Sequence, residues 1–237
     1  MKYLGDSLDG IKSKIVSDTE IIVKPTGDPS FLHPDFSNQP VYDFLNKYHA
    51  IKICDSKFTD NYLGPGWCWD DYTYSDMAQR SNFPVFGNLV YAKFLNDKFE
   101  VIPKNFDYEI RSNVRFDNGF NFEKKFNENK IIFKNGNNGS AKIPFSPYIN
   151  DVIKYLQDTL HCSFSLDTST NYYLQNIIHS QSTDSVLKLM MHRSDNFFAE
   201  QLLLMVSDKI TGVMNEDRKS TRLNSSHSSV SRMPSSA

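Results

Sequence analysis

Ser194-Asp195-Asn196 sets a hydroxyl, a carboxylate and an amide on consecutive residues, within Met191-His192-Arg193-Ser194-Asp195-Asn196-Phe197-Phe198-Ala199-Glu200-Gln201-Leu202. A serine hydroxyl and an asparagine amide each donate and accept hydrogen bonds. At a bend between two helices, such side chains can point into a cleft instead of along a helix wall. Asp and Asn also favour caps over helix interiors, so the same tripeptide reads equally as a helix-breaking corner. A second pair of candidate ligands, His161 and Cys162, could hold a metal. The simpler reading for the three widely spaced cysteines, Cys54, Cys68 and Cys162, is as small buried hydrophobes outside any disulfide framework.

The flanking pattern must supply the two helices. Val186, Leu187, Met190 and Met191 predict a helix from Ser182/Thr183 to His192 with those four residues inward, and Phe198, Leu202 and Met205 predict another over about 197–207. Upstream, Ile149, Val152, Ile153, Leu156 and Leu160 recur at i, i+3, i+4, i+7 and i+11, with Ser146 as expected N-cap and Pro147 as first residue. Ile21-Ile22-Val23-Lys24 reads as a strand ending at Pro25, followed by a turn at Gly27-Asp28-Pro29-Ser30. Val41, Phe44, Leu45 and Tyr48 give a short helix with Pro40 near its first turn, and Ile51-Lys52-Ile53 a strand. Residues 85–135 are mostly β. Leu89–Leu95 and Lys98–Ile102 flank an Asn96-Asp97 hairpin turn. A strand over Tyr108–Phe116 runs to a turn at Asp117-Asn118-Gly119. Ile131-Ile132-Phe133 precedes a loop at Gly136-Asn137-Asn138-Gly139.

The 237 residues carry 26 Lys/Arg against 28 Asp/Glu. Residues 217–237 are Ser-rich, lack an apolar period, and from Asp217 to His227 resemble a translated sequencing-adapter frame, so they read as a non-native disordered tail. Outside that tail the balance is 22 basic to 27 acidic. This argues against nucleic acid or an anionic membrane surface as partner. Aromatics make up 14% of the chain, which suits a globular protein. No apolar run reaches membrane-spanning length, and the first residues lack the apolar core of a signal peptide.

Three segments together resemble the D-alanyl-D-alanine carboxypeptidase/endopeptidase family of low-molecular-mass penicillin-binding proteins, peptidase family S13. Ile22-Val23-Lys24-Pro25-Thr26-Gly27-Asp28-Pro29-Ser30 looks like its strand and Gly-Asp-Pro turn. Gly64-Pro65-Gly66-Trp67-Cys68-Trp69-Asp70-Asp71-Tyr72 is similar to its Gly-Trp-x-Trp-Asp-Asp loop. Ile178-His179-Ser180-Gln181, leading into Ser194-Asp195-Asn196 and through Leu204, is similar to its helix-motif-helix segment. Ser-Asp-Asn is one of three signatures of such enzymes, beside Ser-x-x-Lys and Lys-Thr-Gly. The resemblance spans about residues 1–210. It implies an α+β multidomain protein with a partial β-lactamase/transpeptidase-like fold and a β-rich inserted domain. The expected division is 1–24 as the edge of the transpeptidase domain, 25–145 as the β-rich insertion, 146–216 as the helical part of the transpeptidase domain, and 217–237 as the tail.

The implied chemistry is acyl transfer through a serine ester on a peptide ending in D-Ala-D-Ala. The resemblance implies catalytic roles for Ser194, relaying a proton towards the leaving amine, and for Asn196, bonding the substrate carbonyl. Asp195 would point away and hold the corner. Asp71 would contact a cationic substrate side chain; the plainer alternative is an exposed loop carboxylate. Trp67 and Trp69 would pack the loop. Peptidoglycan stem peptides and β-lactam antibiotics are the implied partners, the periplasm or cell envelope the implied location, and no cofactor or metal is called for. Ser185-Val186-Leu187-Lys188 matches Ser-x-x-Lys formally, but only five residues separate Lys188 from Ser194, and it reads as an outer helix face. Lys209-Ile210-Thr211-Gly212 reads as a helix C-terminus capped by Gly212. With no other match to either motif, the expectation is an inactive piece of a longer carboxypeptidase. The competing expectation is a non-catalytic β-rich envelope-binding module or pseudoenzyme. A β-lactamase would share the tripeptide but lack so long an insertion.

Overall fold

The computed structural model describes residues 3–54, 57–96, 98–111, 120–134, 138–167, 172–174 and 176–215. The expected turn at Asp117-Asn118-Gly119, the strand beyond Arg111 and the 217–237 tail lie outside them. Strand β1 (Ser7–Ile15) leads to β2 (Glu20–Pro25), α1 (Pro40–Leu45) and β3 (Ala50–Cys54). Then come β4 (Leu89–Leu95), β5 (Lys98–Ile102), β6 (Asp107–Arg111), β7 (Asn121–Lys124), β8 (Lys130–Lys134) and β9 (Gly139–Pro144). The chain returns through α2 (Ile149–Leu160), β10 (Ser163–Asp167), β11 (Asn176–Ser182), α3 (Thr183–Arg193) and α4 (Asn196–Thr211).

Three sheets result. The five-stranded one has the order β10-β3-β2-β1-β11, and the two three-stranded ones are β5-β4-β9 and β6-β8-β7. In the first, β2, β3 and β10 run parallel, while β1 is antiparallel to both neighbours. Parallel pairs need crossover connections. α1 lies in the connection from β2 to β3, and α2 leads into β10. The β-branched residues Ile21, Val23, Ile51 and Ile53 of the middle strands share one core with Val41 and Leu45 of α1 and with Val152, Leu156 and Leu160 of α2. Each fully buried aliphatic side chain contributes about 1.5–3 kcal/mol relative to exposure. A second core joins Leu4, Leu8, Ala78 and Leu89 to Val186 of α3 and to Phe197, Phe198, Leu202 and Met205 of α4.

β1 has no expectation in the sequence pattern, because Lys12 and Lys14 interrupt its apolar residues. It is a strand because it pairs on both sides, with bulges against β11 around Asp9. The Thr26 hydroxyl closes that region by donating to the carbonyls of Asp9 and Gly10. Gly10 sits where α1 crosses the sheet: a methyl group there would lie 2.4 Å from Val41 Cγ2 and 3.1 Å from the Ile178 carbonyl.

Several expectations need correction. Residues 146–216 are not wholly helical, since β10 and β11 come from them and join β1–β3. Ser146 is not a cap: it is fully buried, exchanges hydrogen bonds with the Asn129 amide, and the helix starts at Ile149 after Tyr148. Met191 points outward, 59% exposed. α4 runs a full turn past Ser207. Of the three cysteines expected to be buried, Cys54 is, but Cys68 is exposed and Cys162 half-buried. Trp69 is exposed, whereas Trp67 is half-buried against Gly64. The hairpin strands, the β8 segment, the start of α3 at Ser182/Thr183 and Gly212 as the cap of α4 stand as expected. So does the 27–30 turn, in which Asp28 Oδ1 accepts from the Ser30 backbone amide at 2.9 Å. No helix among the described residues is long and apolar enough to cross a membrane.

Candidate functional site

α3 stops because Arg193 is followed by a residue in the left-handed region: Ser194 has φ 51° and ψ 44°. For a non-glycine residue this costs on the order of 1 kcal/mol. Local bonds offset it. The backbone amides of both Ser194 and Asp195 donate to the Met190 carbonyl, the latter at 3.0 Å. Asp195 then caps α4, its Oδ1 accepting from the Phe198 amide at 3.1 Å. Burial is the main influence on this carboxyl and raises its pKa, while the Phe198 amide and the Arg193 guanidinium pull the other way.

The bend therefore orients its three residues differently. Ser194 is exposed, and among the described residues its hydroxyl makes no hydrogen bond. Asn196 opens α4, half-buried, with its side-chain amide likewise unengaged among the described residues. Asp195 faces the helix end. The carboxylate builds the corner, with Ser194 exposed at it and Asn196 half-buried beside it.

Beneath the bend lies a polar cluster that the sequence did not reveal. Arg193 donates to Asp35 in a close ion pair. His33 Nδ1 is 3.4 Å from Asp35 Oδ2 and accepts the Asp35 backbone amide at 3.3 Å. A ring nitrogen that accepts a hydrogen bond carries no proton, so His33 is neutral in this arrangement. Burial agrees, lowering its pKa to about 4 against the opposing pull of Asp35. The His33 ring meets Phe198 edge-on, with centroids 5.1 Å apart. Gly87, at φ 66°, leaves it room: a methyl group there would come within 2.7 Å of His33 Cδ2. The Tyr91 hydroxyl is buried and has no hydrogen-bond partner among the described residues, its pKa raised first by burial and then by Asp35 and Asp195. Lys142 Nζ sits 5.8 Å from the Tyr91 ring centre.

Two further residues lock α4 behind this cluster. Gln201 donates to the Gly27 and Ser81 carbonyls and accepts the Ser81 amide, all at 2.9 Å. Arg80, 1% exposed, bonds Glu200 at 3.0 Å, Asp60 at 3.1 Å and the Asn61 carbonyl at 2.8 Å. Gln201 had a readable signal, being a polar residue on the apolar stripe between Phe198 and Leu202. Arg80 had none, because its partners are distant in sequence.

Asp71 ends a 3-10 turn over Trp69–Asp71 and is half-buried. Its loop rests on Phe126 through Trp69 and Tyr72, and the Tyr72 hydroxyl bonds the Lys124 carbonyl. Among the described residues no hydrogen bond or ion pair joins Asp71 to Ser194 or Asn196. Ligand atoms of Cys68, Asp70 and Asp71 lie within 4.8 Å of one another, so this turn could gather a metal ion, though exposed acidic groups commonly do so without one. A hollow of about 300 Å³, walled by Phe58, Tyr62, Tyr148 and Asn150 among others, includes none of the three candidate residues. Ser185 and Lys188 are exposed, and Ser185 is engaged in the α3 cap, its hydroxyl 2.7 Å from that of Ser182. Thr211 bonds the Ser207 carbonyl, and Lys209 pairs with Asp9 at 3.0 Å.

No family model matches the chain, and no curated protein matches it. Among solved structures, the chain is similar to penicillin-binding protein 4 (dacB) from Haemophilus influenzae, with 18% identity and a TM-score of 0.58 over 90% of this chain and 55% of that one. It is also similar to the same protein complexed with a novel β-lactam, with 16% identity and a TM-score of 0.51 over 90% of this chain and 54% of that one. The chain thus spans about half the length of these proteins. At these identities the likeness is one of architecture: a mixed α+β, penicillin-binding-protein-like fold.

Proposed function

We propose that this chain is part of a serine-type D-Ala-D-Ala carboxypeptidase/endopeptidase of the S13 type, acting on peptidoglycan stem peptides in the cell envelope, and that Ser194 and Asn196 face the substrate. The observation that carries this reading is the bend itself. A hydroxyl and an amide are held at the junction of two helices, both free of hydrogen bonds among the described residues, in a fold similar to a penicillin-binding protein. The hydroxyl can relay a proton to a leaving amine, and the amide can bond a peptide carbonyl. β-Lactams, which the Haemophilus influenzae protein binds in its complex, would address the same place. Asp71 is the proposed contact for a cationic substrate side chain. The chain contains no Lys-Thr-Gly, and the Ser185 of its sole Ser-x-x-Lys match is spent on a helix cap. The 237-residue polypeptide is therefore proposed to bind without forming an acyl-serine.

Titration of the labelled chain with a D-Ala-D-Ala-terminated peptide tests this, read from backbone amide resonances. Saturable shifts at Ser194 to Phe198, lost in Ser194→Ala and Asn196→Ala and absent with an L-Ala-L-Ala peptide, are expected. Equal response to both peptides, or none, overturns the substrate assignment. Covalent capture of fluorescent penicillin by this chain would defeat the claim that it is inert.

A further inference from the structure

One short segment touches both helices at the bend. Asp35 pairs with Arg193, the last residue of α3, and His33 packs its ring on Phe198 in the first turn of α4. Phe36 adds a second aromatic contact to Phe198, with centroids 6.3 Å apart. Between these two holds lies Ser194, in the left-handed conformation. The bonds within the bend fix each helix end separately, Met190 closing α3 and Asp195 opening α4. They leave the angle between the helices to packing. α3 has only partial packing at its C-terminal end: its fully buried residues, Thr183 and Val186, lie in its first half, Leu187, Leu189 and Met190 are half-buried against the second core, and Met191, His192 and Arg193 are exposed.

We propose that Asp35 and His33 are positioning residues for the bend: they clamp α3 and α4 from one loop and so set the direction in which the Ser194 hydroxyl and the Asn196 amide point. The functional consequence rests on the reading that these two groups meet substrate; the clamp itself does not. The clamp is rigid because its own base is buried. His33 is 5% exposed, it accepts the Asp35 amide, and Gly87 admits it without a side chain in the way. Asp35 is thus held at the height of Arg193 by its neighbour two residues earlier.

The test uses the full chain without ligand. In Asp35→Asn, the Ser194 Cα and Cβ resonances should move away from left-handed values. The Asp195 amide should exchange roughly two- to fivefold faster, the loss expected for one partly exposed ion pair. Asp35→Glu, and the charge exchange Asp35→Arg with Arg193→Asp, should restore both signals. Unchanged Ser194 resonances in Asp35→Asn would overturn the clamp, as would faster exchange spread evenly over the whole chain. Should Asp35→Asn fail to fold, Arg193→Gln, at the exposed end of the same pair, reads the same two signals with the same two outcomes. Peptide titration is run separately on the folded variants. If the wild type ignores the D-Ala-D-Ala peptide but the bend loosens as described, the substrate reading fails and the clamp stands.

Discussion

Acid should destabilise this protein by way of His33. Its imidazole is 5% exposed, and burial lowers its pKa from the ordinary 6.5 to about 4. The unfolded chain therefore takes up a proton near pH 6.5 that the folded chain refuses until about pH 4. A depressed folded value means that the stabilisation is complete above pH 6.5 and is lost as the pH falls towards 4. The Asp35 carboxylate favours the protonated ring but is outweighed by burial. Two and a half pKa units correspond to roughly 3 kcal/mol in full, and to roughly 2.5 kcal/mol by pH 4.5. Urea unfolding of the wild type and of His33→Gln at pH 7.5, 6.0, 5.0 and 4.5 isolates the effect to His33 and the Asp35 carboxylate coupled to it. The wild type should lose about 2–3 kcal/mol more than the variant between the extremes. Parallel stability curves would refute the argument, as would a His33 ring resonance titrating near pH 6.5.

Three other outcomes follow from the geometry. Gly10→Ala places a methyl group 2.4 Å from Val41 Cγ2 and should cost about 1–3 kcal/mol in denaturant unfolding, partly recovered by adding Val41→Ala. Arg80→Met removes a buried guanidinium that ties Asp60 and the Asn61 carbonyl to Glu200 of α4, and should cost about 3–5 kcal/mol by the same measurement. Asp195→Ala deletes the α4 cap and should lower stability by about 1 kcal/mol with faster exchange of the Phe198 amide, while Asp195→Asn should stay near wild type.

The local elements were legible in the residues alone. β-Branched runs marked β2, β3 and β8, the Asn96-Asp97 turn between two strand runs marked the β4–β5 hairpin, and Ser182 and Gly212 marked helix ends through the bonds their backbones and side chains make within a few residues. It also placed Ser194-Asp195-Asn196 at an interhelical bend, because Asp and Asn at a break in two apolar stripes are favoured as caps. What lies around that bend came from long-range packing. β1 became a strand by pairing with β2 and with the distant β11, not through its own pattern. Asp35 reaches Arg193 across 158 positions, and Arg80 reaches Glu200 across 120. Met191 turned outward because the second core ends before it. The physical division is one of range. Propensity and capping act within a turn or two of chain, whereas burial, and with it the charge of His33 and the choice of partner for each buried polar group, is fixed only when distant segments close over one another.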